Sequence, residues 1–329
     1  MRIDVHNHAL PEKAIELLRS DSSYGVQLDG YRWSGGHDAV MSGAKIEFEI
    51  GPSFRETDAK LAELDANGIE GAIMSVTPPL FYYELEAEPM ARLCAATNEG
   101  LAEMAAAAPD RLWWMAHLPV QSPELAIEML EREKANGCVG VEIGSSIGGA
   151  RLDEPQFEPF WAGAARLEMP VMIHPDFSFD VHPSLSPFYF NNVIGLPLET
   201  TLTIERIIAA GVLDRNPGAR IVLVHAGGYF PYQAGRVRHA GTVRPELADS
   251  PADPFDYVGK VLFDPITHDR QALEYLVSRV GVENVVLGTD LPFDMALINA
   301  VAAVNDAVGE EQTRKITEEN PARVYGLDV

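Results

Sequence analysis

Only two cysteines, Cys94 and Cys138, occur in 329 residues. That leaves no disulfide framework and no cysteine-rich metal cluster, and each thiol stands in an apolar setting where a buried, reduced side chain is expected. Basic residues are scarce too: 25 Lys and Arg stand against 49 Asp and Glu, a net charge of −24. Such a surface repels phosphate backbones and anionic headgroups, which argues against nucleic acid and membrane surfaces as partners. No uncharged apolar run reaches about 18 residues, so no membrane-spanning helix is expected. The start, Met1-Arg2-Ile3-Asp4-Val5-His6, lacks the basic, apolar and small-residue succession of a secretory leader, and a cytoplasmic protein is the expectation. No internal repeat or low-complexity tract is present.

What is present is apolar bulk. With 47% hydrophobic and 22% charged residues the chain has enough apolar surface for a large core, and one domain spanning 1–329 is expected. Eight short apolar runs recur, at 3–6, 71–76, 112–117, 139–143, 171–174, 221–225, 261–263 and 285–288. Most are followed by a helical pattern: 55–67, 90–107, 123–136, 155–167, 198–210, 269–280 and 295–308. Alternating strands and helices imply parallel strands joined by crossovers, and runs apolar on both faces fit strands covered by helices. The expected fold class is α/β, a (β/α)8 TIM barrel, although an open doubly wound sheet fits the local pattern as well. Residues about 20–50 interrupt the scheme with Gly, Ser, Tyr and Trp and read as a small β-insertion after the first strand. A second stretch, 225–260, is rich in Gly, Pro and Arg and reads as a long irregular segment over the strand ends.

The chemistry gathers at the ends of the runs. His6 and His8 are two residues apart on a strand, so both imidazoles point to one face. His174 ends Val-Met-Ile-His-Pro, His225 ends Val-Leu-Val-His-Ala-Gly-Gly, and Asp290 follows Val-Val-Leu-Gly-Thr. In a (β/α)8 barrel these positions converge on the carboxyl-terminal mouth, where such enzymes carry their sites. One buried histidine is a bland observation; five metal-capable side chains at four strand ends are hard to obtain from packing, because buried polar groups are costly without partners. Three neutral nitrogens and a carboxylate (His6, His8, His174 and Asp290) suit Zn2+, with Mn2+ as the neighbouring alternative. His225 is either a fourth nitrogen ligand or an acid/base beside the ion, the latter being the more useful role. The fourth run, Val141-Glu142-Ile143-Gly144, has no lysine to bridge a second ion, so one ion is expected. His117, also at a strand end, reads as a buried structural residue. His37, His182, His239 and His268 read as loop or helix-start residues without a role, His182 being the one within reach of a pocket.

These motifs resemble the amidohydrolase superfamily, in the branch of nonoxidative decarboxylases typified by 2-amino-3-carboxymuconate-6-semialdehyde decarboxylase. The resemblance runs nearly end to end and rests on Ile3-Asp4-Val5-His6-Asn7-His8-Ala9-Leu10-Pro11, Ile173-His174-Pro175, Gly195-Leu196-Pro197-Leu198-Glu199-Thr200-Thr201, His225-Ala226-Gly227-Gly228-Tyr229-Phe230-Pro231, Gly235-Arg236, Arg244-Pro245 and Gly288-Thr289-Asp290-Leu291-Pro292-Phe293. It implies a metal-dependent decarboxylase of an unsaturated or aromatic acid, with His225 and Asp290 catalytic and Arg244, Arg236 and Phe293 binding substrate. It also implies a homodimer in which Arg244 serves a neighbouring site. Two departures touch substrate-facing positions. An arginine of the family falls at or near Gly51, with Arg55 as the nearest substitute, and the tryptophan after the third metal His-Pro is replaced in His174-Pro175-Asp176-Phe177. The muconate semialdehyde is therefore a less suitable substrate than a related acid. A hydrolase or hydratase on the same scaffold is the rival activity, and an inactive barrel acting as a binding protein is the rival from another class.

Overall fold

The computed structural model describes residues 1–35, 47–176, 183–185, 187–250 and 253–329. Its centre is a parallel sheet of seven strands in sequential order: β1 (Ile3–Ala9), β2 (Gly71–Val76), β3 (Leu112–Ala116), β4 (Gly140–Gly144), β5 (Val171–His174), β6 (Ile221–Leu223) and β7 (Val261–Phe263). Residues 285–291 close it into a barrel. Val286 N bonds Phe263 O at 2.9 Å on one side, and on the other Val5 N and His8 N bond Leu287 O and Leu291 O, each at 2.8 Å. Bridges Phe263↔Val285 and Asn7↔Leu291, both parallel, mark the two seams. Residues 289 and 290 leave the regular ladder because both amides turn onto one acceptor, the His6 carbonyl. The expected barrel is the fold observed.

Strand runs apolar on both faces are buried on both. Ile3, Val5, Ile73, Met115, Met172, Val222, Leu262 and Val286 fill the barrel interior, with Val324 and Tyr325 from the last helix packed against them. The outward faces join the larger core formed with the surrounding helices. The β-insertion is an antiparallel sheet of Val26–Asp29, Arg32–Gly35 and Glu47–Glu49, and the part of the expected 45–50 alternation at 45–46 lies outside the described residues. Among the described residues no helix is long and apolar enough to cross a membrane. Cys94 and Cys138 are buried and unbridged.

The stretch 225–260 corrects the sequence reading. It holds a helix, Phe230–Val243, of 14 residues. Pro231 begins it, as proline does at a first helical turn. Two glycines within it, Gly235 and Gly241, and a mostly exposed surface hide it from a search for apolar periodicity. Helix Glu12–Ser20 and the helices after residue 308 were likewise not expected.

Candidate metal centre and pocket

β1 delivers the first two side chains. Its register against β2 shifts between Asp4 and Asn7, and both imidazoles of His6 and His8 end up buried in the mouth. A polar network holds this bulge. Asp4 accepts from Asn7 Nδ2 at 2.8 Å, Thr289 Oγ1 at 2.5 Å and the His6 amide at 3.1 Å. Lys60, fully buried, donates to Asn7 Oδ1 at 2.7 Å and to the His8 carbonyl at 2.9 Å. Removing either charged member leaves the other polar groups buried and unpaired, the costly case.

His6, His8, His174 and Asp290 converge: one ligand atom from each lies within 4.8 Å of all the others. Their hydrogen bonds decide which atoms these are. His6 Nδ1 donates to Asp264 Oδ2 at 2.8 Å, His8 Nδ1 to the Val76 carbonyl at 3.0 Å, and His174 Nδ1 to the Pro175 carbonyl at 2.7 Å. Each acceptor has no proton to give, so each ring carries its proton on Nδ1 and turns an Nε2 lone pair inward. The Nε2 atoms of His6 and His8 face each other at 3.1 Å, and Asp290 Oδ1 is 3.1 Å from His8 Nε2 and 3.4 Å from His6 Nε2. Among the described residues His174 Nε2 and Asp290 Oδ1 are buried without a hydrogen-bond partner. Three lone pairs and an anionic oxygen pointing at one another fit a single divalent cation and little else.

Without a cation between them these groups charge one another, and a bound divalent ion would take the place of the second His6 proton at Nε2. Burial disfavours a charged His6, yet its bonds to Asp264 and Asp290 outweigh that and hold it up at about 10. Burial keeps His8 below its usual value, and burial with the neighbouring imidazoles keeps His174 well below. Burial alone would raise Asp290, but His225, His6 and His8 hold it well below the carboxylate range. At the β4 end, where a bridging lysine is missing, stands Glu142, 3.8 Å from His8 Nδ1, its carboxyl pushed well above the usual range by burial.

His225 joins this group without entering it. Its Nε2 is 3.6 Å from Asp290 Oδ2, on the oxygen facing away from His6 and His8, and its side chain is 17% exposed. It opens on a cavity of about 940 Å³. Phe48, Phe54 and Phe293 form an aromatic wall, the Phe293 ring 5.2 Å from those of His8 and Phe54. Pro78, Pro79 and Leu196 add apolar surface, while Asn191, Asn192, Tyr189 and Tyr229 add polar groups. Among the described residues no lysine or arginine lines it.

The remaining expected residues divide. Phe293 lines the pocket; Arg236 and Arg244 do not. Both are exposed, Arg236 within helix Phe230–Val243 and Arg244 at its end, where Glu246 takes the Arg244 guanidinium at 2.6 and 3.2 Å. Arg55 does not replace the arginine missing near Gly51. Its guanidinium stacks 3.7 Å from the Tyr31 ring and pairs with Glu56, bracing the insertion. Asp176 is buried on the pocket wall, where its Oδ1 accepts from Ser145 Oγ at 3.3 Å. His117 is buried and outside the cluster, its backbone held by Asn98. His37 and His182 lie outside the described residues, and His239 is exposed. His268, expected to have no role, lines the pocket with φ of +52°.

Sequence reading missed Asp264, Asp4 and Lys60. Asp4 stands two residues before the His-x-His motif and Asp264 directly after a strand, which are signals of position but not of partner. Positive φ at His225, Ala226, His268 and Asp290 has no sequence signature either, and such strained residues cluster at functional sites.

Comparison with known proteins agrees with this architecture. The family model described as Amidohydrolase matches residues 3–327. The 2-amino-3-carboxymuconate-6-semialdehyde decarboxylase of Dictyostelium discoideum is 31% identical over 300 residues, covering 90% of this chain and 82% of that protein. Gamma-resorcylate decarboxylase of Rhodococcus jostii is 30% identical, covering 82% and 88% of the two chains. Among solved structures, the 5-carboxyvanillate decarboxylase of Novosphingobium aromaticivorans, complexed with manganese and 4-hydroxy-3-methoxy-5-nitrobenzoic acid, superposes with a TM-score of 0.80 at 22% identity, over 99% of this chain and 96% of that one. The chain belongs to the amidohydrolase family, in its decarboxylase branch.

Proposed function

We propose that this carboxy-lyase holds one divalent ion between His6, His8, His174 and Asp290 and removes carbon dioxide from an aromatic or unsaturated carboxylic acid, with His225 carrying the proton. The observation that carries the reading is the convergence of the three Nε2 atoms and Asp290 Oδ1 at the cavity, with His225 beside Asp290 on the same cavity wall. When bound, the ion supplies an electrophile for a substrate oxygen near the carboxylate. The chain's own groups do the rest. Phe48, Phe54 and Phe293 press on a planar acid and hold its carboxylate out of the conjugated plane. His225 gives a proton to the carbon bearing the carboxylate, which interrupts conjugation. The bond to the carboxylate carbon then breaks, its electron pair restores the conjugated system, carbon dioxide leaves, and His225 regains a proton through the open cavity. Zn2+ is the ion that this nitrogen-rich set favours.

A homodimer completes the reading. Among the described residues no lysine or arginine lines this pocket, while Arg244 is exposed and paired with Glu246, and Leu198, Leu202, Tyr232 and Val243 are exposed apolar side chains on the helices nearby. A second copy can cover such side chains and draw the guanidinium from Glu246 to the substrate.

The test is carbon dioxide release from a panel of hydroxylated benzoates and muconate-type acids by Zn2+-loaded and Mn2+-loaded protein. Release of carbon dioxide with one proton taken up at the former carboxyl carbon supports the reading. Hydrolysis of ester or amide substrates without carbon dioxide would instead support the hydrolase.

A further inference from the structure

One more carboxylate sends every hydrogen bond it makes into this site. Asp264 follows β7, is fully buried, and among the described residues forms no bond to lysine or arginine. Its Oδ2 accepts from His6 Nδ1 at 2.8 Å and from the His225 amide at 2.9 Å. Its Oδ1 accepts from the Ala226 amide at 2.7 Å and the Ile266 amide at 3.0 Å.

The two halves of this arrangement act on different parts of the chemistry. The His6 bond fixes the ring proton on Nδ1 and so aims Nε2 at the other donors, the usual service of an outer carboxylate to a ligating histidine. The amide bonds fall on a turn that the backbone alone does not favour: φ is +52° at His225 and +57° at Ala226, a region L residues seldom hold untethered. The turn has no slack to relax elsewhere. A Cβ on Gly228 would lie 2.1 Å from the Pro197 carbonyl, so this loop is pressed against the start of the neighbouring helix.

We infer that Asp264 is a positioning residue that sets ligand and proton carrier together, one oxygen orienting His6 toward the ion and pinning the backbone that presents His225. This rests on His6 being a ligand and His225 the proton carrier, as proposed above. An ordinary buried acid would be satisfied by any donors. This one binds a ring from β1 and a turn from β6, 258 and 39 residues away in sequence, at the same atom.

Asp264→Asn tests it, because an amide keeps the size but offers one acceptor oxygen and turns its NH2 toward N–H groups. Zn2+ affinity, read by chelator competition, should fall roughly 10- to 100-fold. At saturating Zn2+, kcat should still fall by roughly 10- to 100-fold through displacement of His225. Adding Ala226→Gly, which removes the conformational strain at 226, should recover part of kcat but none of the Zn2+ affinity. Imidazole nitrogen NMR of the Zn2+-loaded wild-type protein, a measurement independent of how the variant folds, should place the single His6 proton on Nδ1. A His6 ring protonated on Nε2, unchanged Zn2+ affinity in the folded variant, or full kcat once Zn2+ saturates would each overturn the inference. Failure of the decarboxylase reading shows differently, as a wild-type protein that releases carbon dioxide from no acid while the NMR and affinity results stand.

Discussion

Asp290 shows what a single residue does here. One oxygen faces His6 and His8 at 3.4 and 3.1 Å, the other faces His225 at 3.6 Å, and a φ of +69° at the residue itself turns the carboxylate between them. On the proposed reading the carboxylate divides the site into an ion side and a proton side, and substitutions on the two sides should separate. His225→Asn should lower kcat by roughly 10²- to 10⁴-fold while the purified protein keeps its full complement of ion. His174→Ala should lose ion and activity together. Metal analysis beside the carbon dioxide rate decides, and an ion-free His225→Asn protein would make His225 a ligand instead. Residues of this kind were legible because strand alternation and the His-x-His spacing fix direction without knowledge of the fold. Asp264 and Lys60 were not. A lone acid or lysine in sequence has no address until barrel closure brings it to a partner, 258 residues off for Asp264 with His6 and 53 for Lys60 with Asn7.

Among the elements, the helix Leu196–Ala209 faces both ways. Inward, Glu199 takes the Ser145 hydroxyl, and the Pro197 carbonyl stands against the turn at Gly228. Outward, Leu198, Leu202 and Glu205 follow helical spacing along one stripe. Glu205 lies half-buried in that stripe with both carboxyl oxygens lacking a hydrogen-bond partner, and burial pushes its pKa from 4.5 up to about 7. The sign follows from linkage: the folded state holds this proton more tightly than the unfolded chain, so the contribution to stability is complete below about pH 4.5 and lost as pH rises through about 7. Glu205→Gln should therefore leave stability nearly unchanged at pH 4.5 and add about 1–2 kcal/mol at pH 8.5, the full shift being discounted for partial exposure. Urea unfolding at the two pH values checks it, and equal gains at both would discard burial as the cause. Element-scale legibility was uneven for a related reason. Strands such as Gly71–Val76 and Val171–His174 show as continuous apolar runs because both faces are covered. Helix Phe230–Val243 buries only Phe230, Pro231 and Ala234, so it leaves no apolar stripe to read.

The whole molecule raises a question of charge. The chain carries a net −24, and among the described residues five carboxylates and no lysine or arginine line its cavity, yet the proposed substrate is an anion. A bound ion would offset part of this, and an arginine lent by a second copy would offset the rest, which would make Arg244 and His225 members of one site from two chains. That arrangement has an arithmetic consequence. His225→Asn and Arg244→Ala proteins should each be weakly active alone. When they are mixed one to one and allowed to exchange subunits, about half the dimers are hybrids. Each hybrid contains one site with neither residue and one site with both. About a quarter of all sites are then intact, and the mixture should recover roughly a quarter of wild-type activity. If Arg244 served the pocket of its own chain, every hybrid site would lack one residue or the other, and mixing would recover nothing. Recovery should also depend on total protein concentration, falling on dilution as dimers part. Recovery that persists at concentrations where sedimentation shows only monomer would remove the shared site, leaving the ion and the three histidines to hold the carboxylate alone.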